Sequence, residues 1–223
     1  MLAATIYIGL GIVDVLAVMA FMLKLYRIPF KLYMKKIFMM ALVIALISYL
    51  IRVVWGVPLL DFPIQVMAFI LFLRYGLKIK FFYSTLIVST GMNGYIILQL
   101  LILFIFTVTG NATATVALQN QEVGIQTIQT VSIIAALLIA CLLKLFNRGF
   151  SFIIEPPHEF SIKEEYMKGA NRPLFFSTFI VLAVLSIALM MVYHFYTIIL
   201  IASALISFVS SYYFSYRRDV SYD

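Results

Sequence analysis

The residues in this sequence able to do chemistry are few, and most are embedded in apolar runs. Asp14 lies in the middle of an apolar stretch with no basic residue before Lys24. At helical rise it would sit about 16 Å from either edge of a spanning helix. An ionised carboxylate there costs about 2.5–3.5 kcal/mol on insertion scales, so an intramembrane acid reads as a functional group by default. The structural alternative is a neutral carboxyl bonded to a polar group on a neighbouring helix. Asn93 falls at a similar depth, in a patch with Ser89, Thr90 and Gln99. It either pairs with Asp14, lines a small cavity with it, or joins two helices. Arg52, Trp55, Asp61, Gln65, Glu122, Tyr193 and His194 fall at span ends or in one loop, all on one side. They form either a shallow ligand site, with Arg52 or Asp61 selecting charge, or an interfacial belt of polar and aromatic residues.

Covalent chemistry has weaker support. Cys141 and His158 are the one thiol and one of two imidazoles. A thiol nucleophile needs a base within hydrogen-bond reach, and the intervening Pro156-Pro157 gives no reason to expect it. A small packed cysteine is the expectation. There is no His-Glu-x-x-His, Gly-x-Ser-x-Gly or phosphate-binding glycine loop, so no catalytic residue, metal or cofactor is expected. Asn111-Ala112-Thr113 matches a glycosylation sequon, a short pattern that also arises by chance.

The elements that carry these residues follow from composition. Of 223 residues, 65% are hydrophobic and 11% charged, and the mean hydropathy is +1.10. A water-soluble domain has about 25% charged residues. The bilayer is therefore the expected solvent, and continuous apolar runs select helices over the alternating strands of a barrel. Seven spans fit best, near residues 3–23, 37–54, 58–77, 81–109 and 125–145, then two from 174–216 divided near Tyr193-His194-Phe195-Tyr196. A re-entrant third span would leave six and misplace the bases after it. The fourth run would be about 43 Å long against a core of about 30 Å, so it must tilt, protrude or bend at Gly91 and Gly94. These glycines equally suit close helix packing, as do Ser203, Ser207 and Ser210 in the last run. Residues 146–172 form the main loop, in which Ser161-Ile-Lys-Glu164 reads as a capping box. Pro173 suits the first turn of the sixth span.

Charge gives the orientation. Of 16 Lys and Arg residues, all but Arg52 lie in connections on one side. Such bias marks the cytoplasmic face. The expected fold is an all-α polytopic transmembrane bundle in one domain, with N-terminus outside and C-terminus cytoplasmic. The absence of bases before the first apolar run argues against a cleaved signal. The net charge of +7 is explained by the inner-face bases, so no nucleic-acid partner is expected. One cysteine forbids an intrachain disulfide.

Three segments carry a family resemblance. The bases from Lys31 to Lys36 follow the first span. Then come Ala45-Leu-Ile-Ser-Tyr-Leu-Ile-Arg52 and Phe69-Ile-Leu-Phe-Leu-Arg74-Tyr-Gly-Leu-Lys78-Ile-Lys80-Phe-Phe-Tyr83. This layout resembles the membrane sensing region of Agr-type peptide-pheromone receptor histidine kinases of Gram-positive bacteria. In that family the last span runs into a dimerisation helix with a phosphorylatable histidine and an ATP-binding domain. This sequence holds neither, so the resemblance is to the sensing region alone. It implies a non-enzymatic bacterial cell-membrane protein that binds a small ligand or peptide outside and signals to a partner such as a histidine kinase, as in quorum sensing. The ligand-site candidates are Asp14, Arg52, Asp61, Gln65, Asn93 and His194. The alternative is a transport component, either a vitamin-binding membrane subunit or a small permease, with Asp14 and Asn93 lining a central site.

Overall fold

The computed structural model describes residues 2–109, 123–160, 169, 171–191 and 197–220, with side chains described for 4–109, 126–160, 169, 171–184 and 201–220. Glu122, Tyr193, His194, the sequon and the Ser161 capping box lie outside the described residues. Among those described there is no strand, and seven α-helices carry the fold. They are α1 (Leu2–Leu25), α2 (Met34–Tyr49), α3 (Asp61–Leu71), α4 (Phe81–Val108), α5 (Val123–Leu145), α6 (Asn171–Met191) and α7 (Thr197–Val220). Five helical segments are long and apolar enough to cross a membrane: Ala4–Leu25, Phe30–Val54, Pro58–Gly76, Phe81–Val108 and Gln126–Leu145. The described apolar part of α6, Asn171–Val184, is shorter. Pro173 falls in the first turn of α6, where its missing N–H removes no helical bond.

α4 is the central helix, touching α1, α3, α5, α6 and α7. Residues 82–95 are all buried. Such a helix must be compact on every face, and the sequence supplies Ser84, Thr85, Ser89, Thr90, Gly91, Asn93 and Gly94 there. α4 runs as one uninterrupted α-helix through both glycines, with no break there. They are instead sites of close approach. A Cβ on Gly91 would lie 2.3 Å from Met22 Cγ, and one on Gly94 would lie 2.9 Å from Phe21 Cε1 and 3.0 Å from Phe208 Cε2.

The helices end by a shared device. Arg27, Lys78 and Asn147 take left-handed φ of 53°, 59° and 49°, and Gly56 takes 67°. The following amides reach back to close each helix, Ile28 to Leu23 O at 2.9 Å and Arg148 to Leu143 O at 2.9 Å. This is the Schellman closure. α2 and α3 add a wide π turn first, Leu50–Val54 and Phe72–Gly76. Their closing bonds accordingly span one residue more, Val57 to Ile51 O and Ile79 to Leu73 O, both at 3.0 Å.

Every described Lys and Arg except Arg52 belongs to one end of the bundle, where α1, α3, α5 and α7 finish. Negative helix C-termini favour cations there. The loop after α5 packs over this end. Phe150 N donates to Leu25 O at 2.8 Å and His158 N to Lys78 O at 2.9 Å, while Tyr33 Oη donates to Pro156 O at 2.7 Å. Rings of Tyr26, Tyr83, Phe150 and Phe152 cluster beneath it. Burial pushes the Tyr26 hydroxyl up to about 12, so it stays a neutral phenol.

α7 is latched to the same loop. Asp219 Oδ1 accepts from Ser151 N at 2.7 Å, Ser151 Oγ at 2.9 Å and Phe152 N at 2.8 Å. Arg218 donates to Tyr83 Oη at 3.3 Å and covers the Phe152 ring. Hydrogen bonds to a carboxylate contribute about 1.5–3 kcal/mol when buried, and less at this half-exposed position. Asp219→Ala should therefore raise hydrogen exchange at the Ser151 and Phe152 amides roughly tenfold. Exchange mass spectrometry on the loop peptide checks this, and unchanged protection would show that the latch carries no stability.

Candidate functional site

The candidate site is built at the end of the bundle opposite the cations. Trp55–Val57 turns the chain back so that the first turn of α3 faces the last turns of α2. Asp61, in that first turn, is fully buried. Its Oδ2 accepts from Ser48 Oγ at 3.0 Å, Gln65 Nε2 at 2.9 Å and Arg52 Nε. Arg52 and Asp61 form the one salt bridge among the described residues, with the Asp61 side chain 0% and the Arg52 side chain 45% exposed. The helix N-terminus adds favourable potential for the carboxylate. Asp61 Oδ1 is buried without a partner among the described residues.

The spacing explains the convergence. Ser48 and Arg52 are four apart, as are Asp61 and Gln65, so each pair occupies one face of its helix. The π turn places the Arg52 side chain toward α3; such turns recur at functional sites. Tyr7 Oη lies 3.5 Å from Ser48 Oγ, and its ring meets that of Tyr49 edge-on.

Asp14 follows Tyr7 by two helical turns on the same face of α1, about 10 Å deeper. It is half-buried. Tyr95 Oη donates to its Oδ1, and the Gln129 side chain of α5 reaches the same carboxyl. Asp14 lies within electrostatic reach of Arg52 and Asp61. Gln99, one turn beyond Tyr95, touches the Tyr95 hydroxyl. Two polar groups thus lie one below the other, the Arg52–Asp61 cluster with Ser48, Gln65 and Tyr7 at the end of the bundle, and Asp14 with Tyr95 and Gln129 deeper, within electrostatic reach of the first.

Of the sequence-derived candidates, Arg52, Asp61 and Gln65 come together, and Asp14 lies deeper, within electrostatic reach of Arg52 and Asp61. Asn93 does not. Its Nδ2 donates to Ser207 Oγ at 2.8 Å and Ala204 O at 3.2 Å on α7. One turn away, Thr90 Oγ1 and Ser211 Oγ lie 2.9 Å apart. Asn93 is therefore a helix-joining residue, and no pairing with Asp14 occurs. Ser207, Ser211 and Ser215 form the buried stripe of α7, whereas Ser210 bonds only back to Ile206 O on its exposed side. His194 lies outside the described residues.

Sequence reasoning missed Tyr7, Ser48, Tyr95 and Gln129. The available signal was spacing, since Tyr7 and Asp14 are seven apart and Ser48 precedes Arg52 by four.

The thiol–imidazole reading loses its base. His158 Nδ1 accepts from Lys80 N at 3.2 Å and Nε2 lies 2.8 Å from Ile154 O. That assigns the proton to Nε2 and occupies the lone pair a general base would use. Cys141 is exposed on the bundle surface, contrary to the packed position expected of it. No group of three or more metal-ligating side chains occurs among the described residues.

Comparison with protein-family models, with curated proteins and with solved structures gives no match to this chain. The class defined by the fold is a multi-helix bundle with five membrane-length apolar helices.

Proposed function

We propose that this protein is a bacterial cell-membrane receptor of the sensor type, non-enzymatic, with its ligand site at the Arg52 end of the bundle facing outward. One observation carries the reading. A half-exposed guanidinium is held at the end of an apolar wall by a fully buried carboxylate that Ser48 and Gln65 also fix in place. Structural ion pairs need no such opening, whereas a binding site needs one charge fixed and still reachable. The outward orientation rests on the cations gathered at the opposite end. The peptide as ligand, and a histidine kinase as signalling partner, rest on the resemblance to Agr-type sensing regions. The lining by α4 and the latch of α7 to the basic-end loop offer a route between the two ends.

The test is a thermal-shift screen of the detergent-purified chain against fractions of medium conditioned by its host, with Arg52→Gln beside it. The receptor reading expects one fraction to raise the melting temperature of the native protein and leave Arg52→Gln unmoved. Equal responses from both, or none from either, would remove it.

The transport alternative draws on Asp14 and Tyr95, which place a half-buried carboxyl in the middle of the bundle. Asn93 no longer belongs to that site. Substrate uptake abolished by Asp14→Asn and retained by Arg52→Gln would favour this reading over the first.

A further inference from the structure

The basic end holds a second feature. Lys24 in the last turn of α1 lies within electrostatic reach of Lys144 in the last turn of α5, and of Lys31 in the short 3-10 turn Phe30–Tyr33. The scaffold that gathers them is tight. Gly149 has φ +130° and packs against the end of α1, where a Cβ on it would lie 2.9 Å from the carbonyl oxygens of both Lys24 and Leu25. Phe150 N closes the same junction on Leu25 O. α1 and α5 are thus pinned together where the two lysines emerge.

Four other cations at this end have partners for their side chains. Arg27 donates to Asn147 O, Lys36 to Gly76 O and Arg218 to Tyr83, and Arg74 stacks on Phe160. The three clustered ammonium groups have no hydrogen-bond or carboxylate partner among the described residues. Three like charges held together call for an anion. Apolar surface adjoins them, with Leu32, Leu145 and Phe146 exposed by 72%, 71% and 69%. Phosphate beside hydrocarbon, at the end of spanning helices, is the chemistry of an anionic phospholipid.

We infer that Lys24, Lys31 and Lys144 form a headgroup site for an anionic phospholipid at the junction of α1 and α5. The ammonium groups take the phosphate, and the adjoining apolar side chains line the acyl chains. This site is independent of the ligand site at the Arg52 end, and either can fail without the other.

The experiment titrates the delipidated full chain in neutral detergent with phosphatidylglycerol, phosphatidylcholine or soluble glycerol 3-phosphate, reading bound lipid by native mass spectrometry. Phosphatidylglycerol should bind well above the other two. The triple variant Lys24→Gln, Lys31→Gln, Lys144→Gln should lower that affinity roughly a hundredfold. The charge-matched control Lys35→Gln, Lys78→Gln, Arg217→Gln should lower it only severalfold. If the first triple variant fails to fold, Lys144→Gln alone, at an exposed position, should still lower affinity roughly fivefold. Equal losses in the two triples would show a diffuse field and overturn the site. So would glycerol 3-phosphate binding as tightly as the lipid, which would mark a free-phosphate site.

Discussion

Arg52→Gln lowers the stability of this protein more than Asp61→Asn does, although both changes break the same ion pair. The asymmetry follows from exposure. Asp61 is fully buried and Arg52 is 45% exposed. Removing Arg52 leaves a carboxylate among apolar helices with only Ser48 and Gln65 as donors. An uncompensated buried charge costs about 3–5 kcal/mol. Removing the charge of Asp61 leaves a guanidinium that can swing its long side chain to the aqueous interface. What is lost then is hydrogen bonding, about 1–3 kcal/mol. The double variant should recover part of the Arg52→Gln loss, because the stranded charge is gone. Unfolding in mixed micelles of dodecyl sulfate and a neutral detergent measures all three. Equal losses from the two single variants would show that Asp61 is as well solvated as Arg52, and would weaken the case for a fixed, preorganised charge at this site.

The same pair shows what could be read in advance. Apolar runs placed the spans because a bilayer demands about twenty apolar residues in succession. The helices observed at Leu2–Leu25, Phe81–Val108 and Val123–Leu145 begin and end close to those runs. Arg52, Asp61 and Gln65 stood out because charge and amide groups at span ends are scarce in so apolar a chain. Which helix meets which was not legible. A helix apolar on all faces carries no periodic stripe to point at its neighbour, so Tyr95 could not be assigned to Asp14, nor Asn93 to Ser207. The stripe on α7 was misjudged by one residue for the same reason. Ser210 and Ser211 look alike until α4 is placed beside them. The left-handed ends at Arg27, Lys78 and Asn147 were hidden because, of the four helix ends closed this way among the described residues, one alone carries the usual marker, Gly56. The exposure of Cys141 was likewise invisible, since a bilayer lets an apolar side chain face outward without penalty.

Gly91→Val should be among the most damaging single changes in the chain, with Gly91→Ala milder and Gly94→Ala comparable to it. At Gly91 a new Cβ meets Met22 on three counts, 2.3 Å from Cγ, 3.1 Å from Cβ and 3.3 Å from Cα. Met22 can rotate its Cγ away, because its side chain is flexible. Its Cα and Cβ move only if α1 moves. Alanine therefore separates α1 and α4 by a few tenths of an ångström, and such overpacking costs about 1–3 kcal/mol. Valine adds two methyl groups to the same space and should exceed that range. At Gly94 the obstacles are two rings on two helices, Phe21 of α1 and Phe208 of α7. Turning one ring does not free the other, so alanine there loosens both contacts of α4 at once. The α4–α7 bonds of Asn93 and Thr90 flank this point, and their lengthening would add to the loss. Melting temperatures of the variants in one detergent rank them directly. A Gly91→Val protein as stable as the native one would mean that α1 and α4 are not in contact along residues 21–22 and 91–94, and that the packing which brings Asp14 of α1 to Tyr95 of α4 is absent.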